Sequence, residues 1–175
     1  MRKLLLLAAV SLGISAAPAD ARVVEPGTVW VSSGVGTGVP LQTNLGVTPV
    51  YGGLTVGSEY AFTSSLSADL ELGLGVARMF PVRARAGGRY RFTGLGLPLS
   101  PYVQAQLSGG GLLNVLGANV PYVGGRAAVG VDYFITAHLA TGLRTGLELG
   151  SSLGARPAFY SDIGFVAYLS YAFIP

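Results

Sequence analysis

The stretch VRARAGGRYRF, residues 82–92, sorts its side chains by position. Its even positions hold mostly apolar residues, and its odd positions hold four arginines, Arg83, Arg85, Arg89 and Arg91. Successive side chains of a β-strand point to opposite faces, so the stretch predicts a strand with one arginine face and one apolar face. A nucleic-acid patch is the first interpretation of such a cluster, and the rest of the chain argues against it.

The composition is that of a chain with too few charges for its apolar content. Of 175 residues, 11% are charged and 50% are hydrophobic, and the mean hydropathy is +0.54. A soluble domain carries about 25% charged residues. The 27 glycines are spread through apolar runs, which argues against disorder. The length suits one domain, and without cysteine there is no disulfide framework.

The first 21 residues have the pattern of a secretory signal peptide. Arg2 and Lys3 precede an apolar run, which ends near the small-residue site Ala19-Asp20-Ala21. The run is shorter than the ~20 residues that a membrane-spanning helix needs. We expect cleavage after residue 21 and a mature domain over 22–175. Removal leaves 11 − 2 = 9 basic and 8 − 1 = 7 acidic residues, a net charge of +2, and every remaining base is arginine.

The mature sequence alternates with a period of two, which is typical of β-strands with one apolar face. No later run of 18 apolar residues predicts a helical span. Aromatic pairs near Tyr60, Tyr90, Tyr133 and Tyr171 each end one strand, and each of these strands is preceded by another. Trp30 interrupts the alternation of the first strand. The pattern predicts eight strands, at about 27–38, 50–62, 66–77, 82–92, 101–111, 121–135, 138–150 and 159–173.

The aromatic residues fall at two levels along these strands, as two membrane–water interfaces would select. One end holds Phe80 and Phe159 with Tyr51 and Tyr122. The other end is predicted to form an aromatic girdle of Tyr60, Phe62, Tyr90, Phe92, Tyr102, Tyr133, Tyr171 and Phe173.

In these features residues 27–175 resemble the small eight-stranded OmpA/OmpX-type proteins of the Gram-negative outer membrane. The resemblance implies an all-β fold, an eight-stranded antiparallel up-and-down transmembrane β-barrel, located in the cell outer membrane and surrounded by its lipid. The last strand ends Leu169, Tyr171, Phe173, similar to the signal by which the family's barrels engage the barrel-assembly machinery, although Ile174 and Pro175 follow it here. We expect a monomer.

In a transmembrane barrel the arginine face must point inward, because an arginine at mid-bilayer costs ~2–4 kcal/mol. If the loop after the third strand centres on Phe80, Arg89 faces Glu71 and Arg91 faces Asp69. If the turn between the sixth and seventh strands centres on Ala137, Arg126 faces Glu148. Applied to every strand, the same parity predicts a neutral ion-pair network in the lumen: Glu59, Asp69, Glu71, Arg83, Arg85, Arg89, Arg91, Arg126, Asp132, Arg144, Glu148 and Asp162.

Other chemistry has little support in the sequence. Nucleic-acid binding needs exposed basic side chains and free aromatic rings, whereas here acidic residues match the basic ones. The only histidine, His138, precedes Ala140, so the histidine–serine arrangement of lipid A deacylases is absent, and Asp69 with Glu71 reads as part of an ion network. GVGTG at 34–38 lacks the third glycine of a dinucleotide site. We predict no catalytic, metal-binding or cofactor-binding residues.

The predicted function is therefore an outer-membrane barrel with a closed, charge-paired lumen and an envelope-structural or binding role. The alternative is a narrow porin-like channel for small solutes, although eight strands leave little room beyond side chains. A secreted lipocalin-like barrel would place apolar residues inside, the reverse of the parity found. The outer loops are expected at about 39–49, 78–81, 112–120 and 151–158, all short.

Overall fold

The computed structural model describes residues 24–43, 50–76, 79–95, 98–114, 119–153 and 157–173. The predicted signal peptide at 1–21 and the final residues 174–175 lie outside the described residues. The eight strands are β1 (Val29–Thr43), β2 (Tyr51–Ala61), β3 (Leu66–Val76), β4 (Met79–Arg91), β5 (Leu99–Asn114), β6 (Asn119–Phe134), β7 (Leu139–Ser152) and β8 (Phe159–Phe173).

Each strand pairs with its sequence neighbours in antiparallel fashion, and β1 closes the sheet against β8. The closing ladder runs from Val29 opposite Phe173 to Thr43 opposite Tyr160, with one register shift between Pro40 and Gln42. The predicted all-β, eight-stranded up-and-down barrel is confirmed. The described residues contain no helix long and apolar enough to span a membrane.

Five strands, β1, β4, β5, β6 and β7, extend beyond their predicted ends into segments expected to be loops. β4 begins at Met79, and Pro81, predicted to lie in a loop, lies inside this strand and points into the barrel. The described ladder with β3 ends at Val82, one residue after this proline, so the missing proline N–H leaves no gap in that ladder. The proline ring lies over Gly75 of β3, where no side chain competes for the space. β1, β5, β6 and β7 are extended at the same end of the barrel.

Two tight turns at the opposite end share one construction. The backbone N–H of Phe62 donates to the carbonyl of Leu66 over 2.9 Å, and that of Ile135 donates to the carbonyl of Leu139 over 2.9 Å. A threonine hydroxyl accepts a backbone N–H in each turn. Thr63 accepts from Ser65 and Leu66, and Thr136 accepts from His138. We call this end of the barrel the turn end and the opposite end the loop end. His138 lies in the second turn.

Strand glycines make room for tyrosine rings inside the barrel. Gly38 is paired with Tyr51, Gly130 with Tyr102, and Gly142 with Tyr168. A Cβ added to any of the three glycines would lie 2.1–2.4 Å from the nearest ring atoms. Each ring therefore occupies the space above a residue that has no side chain, and the barrel interior depends on glycine at these positions.

We expect Gly38→Ala to lower the free energy of unfolding by about 1–3 kcal/mol, because overpacking a filled interior costs that much. The three atoms nearest to the added Cβ all belong to Tyr51, whose hydroxyl is held by Asp162 and Arg83. Urea unfolding of the folded barrel measures the change. Gly164→Ala is the matched control, since its Cβ would meet the nearest atom at 3.8 Å. Equal unfolding midpoints for the two variants would contradict the packing role of Gly38.

The charged interior as the candidate functional site

All twelve residues of the predicted ion-pair network lie inside the barrel, and each is 8% exposed or less. They come from six of the eight strands: β2, β3, β4, β6, β7 and β8. Alternation along each strand places them there, because the residues between them point outward. Their contacts form three tiers, which we call lower, middle and upper from the turn end to the loop end.

The lower tier consists of Glu59, Asp132, Arg89 and Arg91. Arg91 binds Glu59 with both terminal nitrogens, at 2.8 Å for Nη2, and its Nε lies 3.1 Å from Asp132. Arg89 lies 2.8 Å from Glu59 and 3.6 Å from Asp132. Two guanidinium groups thus share two carboxylates, and the tier is neutral.

The middle tier is built around Glu71. Its Oε1 lies 2.5 Å from Arg85 and 3.6 Å from Arg126, and its Oε2 accepts a hydrogen bond from Arg144. Arg144 also donates to the side-chain carbonyl of Gln104 at 3.1 Å. One carboxylate therefore has three arginine neighbours, which come from strands β4, β6 and β7.

The upper tier contains Arg83, Glu148 and Asp162 near the loop end. Arg83 lies 2.7 Å from Asp162 and 3.7 Å from Glu148. Arg85 joins this tier to the middle one, since its Nη2 lies 2.6 Å from Glu148 while its Nη1 binds Glu71. Glu148 also accepts a hydrogen bond from the hydroxyl of Tyr122 at 3.1 Å.

Asp69 is the exception among the interior carboxylates. Its Oδ1 accepts a hydrogen bond from Nε2 of Gln106, and its Oδ2 is buried with no partner among the described residues. The carbonyl oxygen of the same glutamine faces Nη1 of Arg126 at 3.4 Å. The amide of Gln106 thus stands between an acid and a base that do not contact each other.

The structure corrects the predicted pairing between β3 and β4. Arg85, not Arg89, lies opposite Glu71, and Asp69 lies opposite Gly87. The register is displaced by four residues because β4 starts at Met79 and the connection is shorter than predicted. Between β6 and β7, Arg126 lies opposite Glu148 as expected, but its guanidinium contacts Glu71.

Five tyrosines belong to the interior, and residue-level reasoning missed their role. Tyr102, predicted in the outer girdle, is 1% exposed and points inward, as do Tyr51 and Tyr122, which were assigned to the second outer level. Arg89 lies over the Tyr102 ring at 4.2 Å. The parity of polar residues in the same strands was the available signal, since four of the tyrosines share it with charged residues and Tyr102 shares it with Gln104. The full set is Tyr51, Tyr102, Tyr122, Tyr160 and Tyr168.

The other predicted girdle residues lie on the outer wall at the turn end. Three Tyr-x-Phe pairs make the same edge-to-face contact, with ring centroids 5.2–5.4 Å apart: Tyr60 with Phe62, Tyr90 with Phe92, and Tyr171 with Phe173. Tyr133 also points outward and is half-buried. The side chain of Phe80 lies outside the described residues, and Phe159 is exposed at the loop end.

An apolar plug lies below the lower tier, at the turn end. Trp30 and Phe134 meet edge to face at 5.7 Å and pack with Val24 and three alanines, Ala61, Ala140 and Ala172. The expectation that Trp30 interrupts the alternation of the first strand was wrong. It keeps the alternation of β1 and points into the barrel, 5% exposed.

Solved structures with the same fold show which class of protein the barrel defines. Neisserial surface protein A has a TM-score of 0.68 at 14% identity, covering 84% of this chain and 99% of that chain. Outer membrane protein OprG from Pseudomonas aeruginosa has a TM-score of 0.58 at 12% identity, covering 89% and 100%. The N-terminal barrel domain of OprF from the same organism has 0.59 at 15%, covering 85% and 98%.

No family model matches the chain, and no curated protein matches it in sequence. The similarity therefore concerns the fold. The chain has the fold of the small eight-stranded outer-membrane β-barrels, the OmpA/OmpX type.

We expect Glu59→Gln to lower the free energy of unfolding by about 3–5 kcal/mol, because it leaves one uncompensated buried charge in the lower tier. Adding Arg91→Gln restores neutrality and should recover part of the loss. Urea unfolding of both single variants and the double variant measures the coupling. Ser58→Ala, on the outer face beside Glu59, is the control and should change little. Strictly additive losses would show that the pair is not coupled.

Proposed function

We propose that this chain spans the outer membrane as a barrel closed to solutes, with an envelope-structural or binding role and no catalysis. The filled interior carries the proposal. Three tiers of charged and tyrosine side chains occupy it above the apolar plug. Arginine does not deprotonate in proteins, and five of the six interior acids contact an arginine. These groups are fixed ion pairs, which do not suit proton transfer.

The outer wall supports a place in the membrane. No outward-facing strand residue among those described is charged, and large apolar side chains such as Leu72 and Leu143 are 52% and 62% exposed there. Strands of 11 to 16 residues are long enough to cross a bilayer, which takes about 9–11 tilted residues. The edge-to-face aromatic pairs at the turn end fit one membrane–water interface.

The last strand supports the assembly route that the sequence suggested. Leu169, Tyr171 and Phe173 all point outward and are 50–57% exposed. They present one apolar face at the strand that closes the barrel. We propose that the barrel-assembly machinery recognises this face and that the assembled protein is a monomer surrounded by outer-membrane lipid.

The side chains that fill the described interior support a lumen without a wide aqueous path. The lumen contains separate cavities of about 50 Å³ beside the upper tier and about 20 Å³ beside the lower and middle tiers. One water needs roughly 10–15 Å³ of such space, so the larger cavity has room for a few waters and the smaller one for about one. The apolar plug then closes the turn end.

A binding role has its best support at the loop end. The β5–β6 hairpin remains paired as far as Leu113 opposite Asn119, and its strands are 16 residues long. β2 and β3 have 11 residues each. The longer hairpin therefore stands above one side of the rim and offers a surface to a partner.

We expect Leu72→Arg to block insertion into bilayers, because a lipid-facing arginine at mid-strand costs ~2–4 kcal/mol. The neighbouring change Gly73→Ala should insert normally, since residue 73 points inward and its Cβ would meet no atom closer than 3.8 Å. The heat-dependent gel shift of folded barrels reports insertion. Normal folding of Leu72→Arg in bilayers would overturn the membrane assignment of this wall.

Single-channel recording tests the closed lumen. Refolded wild-type protein in planar bilayers should show no steady conductance, because the tiers and the plug interrupt any water path. The gel shift of the same preparation confirms that the barrel is folded. A steady, large conductance would instead support the narrow channel.

A further inference from the structure

The interior charges divide into two contact networks and one separate acid. Contacts of 3.7 Å or less join the lower tier into a neutral set of two arginines and two acids. A second network joins four arginines to three acids and so carries one unbalanced positive charge: Arg83, Arg85, Arg126 and Arg144 with Glu71, Glu148 and Asp162. Asp69 contacts no described arginine and carries the balancing negative charge elsewhere.

Arg126 is the least compensated arginine of this second network, the one that carries the unbalanced positive charge. Among the described residues it contacts one acid, Glu71 at 3.6 Å, which Arg85 and Arg144 already hold more closely. Its hydrogen bond to Gln106 uses the same nitrogen, Nη1. Nε and Nη2 of this buried guanidinium donate to no described residue.

Asp69 does not reach Arg126, because Gln106 separates them. The amide nitrogen of Gln106 donates to Asp69, and its carbonyl oxygen faces Arg126. Asp69 lines the smaller cavity, of about 20 Å³, while Arg126 lines the larger one, of about 50 Å³. The two unbalanced charges are therefore held in separate places.

The larger cavity brings three arginines of the charged network together. Arg83 and Arg85 line it with Arg126, and Nε of Arg83 is buried without a partner among the described residues. Asp162 also lines it, but Arg83 binds that carboxylate at 2.7 Å. Two glycines of the wall leave space, Gly73 and Gly164, since a Cβ added to either would meet no atom closer than 3.8 Å.

We propose that this cavity is a binding site for one small monovalent anion of chloride size. A buried charge needs a partner, and one negative charge neutralises the network. Nη2 of Arg126, which has no described partner, is the principal donor, and the guanidinium groups of Arg83 and Arg85 line the same space. The cavity exceeds the roughly 10–15 Å³ that one water requires, so it has room for such an ion.

Urea unfolding in matched salts tests the site. Wild-type protein is unfolded in sodium chloride and in sodium gluconate at equal ionic strength, since gluconate is too large for the cavity. An anion that binds only the folded state raises its stability. We expect a higher unfolding midpoint in chloride, with a shift that saturates as chloride increases. Equal midpoints in the two salts would overturn the proposal.

Variants locate the effect. Gly73→Ala places a methyl group in the cavity with its nearest neighbours at 3.8 Å, and Arg126→Gln removes the principal donor. Both should lose the chloride-specific shift. Gly125→Ala, on the outer face with its nearest atom at 3.7 Å, should retain it. A shift of wild-type size in Gly73→Ala would rule out this cavity as its origin.

Bromide gives a measurement that does not depend on any variant folding. Wild-type crystals soaked in sodium bromide should show an anomalous peak beside the guanidinium of Arg126. Peaks confined to the protein surface would identify an adventitious ion only and would overturn the site. The unfolding and bromide experiments do not measure conductance, so their results are separate from the test of the closed lumen.

Discussion

The pairing of buried charges across a narrow closed interior is the constraint on which this barrel depends. Twelve charged side chains leave water on folding, and such charges are tolerated only when paired and hydrogen-bonded. In an eight-stranded barrel the interior is just wide enough for side chains to fill it. Arg91 on β4 thus reaches Glu59 on β2 and Asp132 on β6, two strands away on either side. Apart from the pair of Arg85 with Glu71, the ion pairs among the described residues connect strands that share no backbone ladder.

Arginine suits this arrangement because its planar guanidinium donates in several directions at once. Arg85 uses this property most fully, with one nitrogen on Glu71 and two on Glu148. It therefore connects the middle tier to the upper one. A lysine ammonium at the same position would offer a single point charge and would not hold both carboxylates in one plane.

The abundant glycine follows from the same crowding. Tyrosine rings occupy much of the interior volume, and a ring is accommodated where the residue opposite it has no side chain, as Gly38 is for Tyr51. Where glycines face no ring, as at Gly73 and Gly164, space remains. The interior is thus tightly packed around its tyrosines and open beside Arg126. The packing of the interior is therefore uneven, and a small cavity lies beside Arg126.

Much of the wall was readable from the sequence because the facing of a strand residue is a local property. Backbone geometry alone sends Arg83 and Arg85 to one side and Ala84 to the other. A bilayer then decides which side is inward, since charge is excluded from the lipid face. The strand number, the antiparallel order and the inward set of charges followed from this reasoning. Tyr102 shares the parity of its inward neighbour Gln104. Its prediction in the outer girdle was wrong because an aromatic ring near a strand end is also typical of a membrane–water interface.

The partners of the charges were decided by the tertiary structure. A register depends on where a turn closes, and with β4 beginning at Met79 it is Arg85, not Arg89, that lies opposite Glu71. Contacts across the lumen depend on closure of the whole sheet, which brings β2, β4 and β6 within reach of one another. Sequence parity counted six acids and six arginines and found them balanced. Only the closed barrel shows that Asp69 lies apart from Arg126, because their distance is set by strands that are remote in sequence.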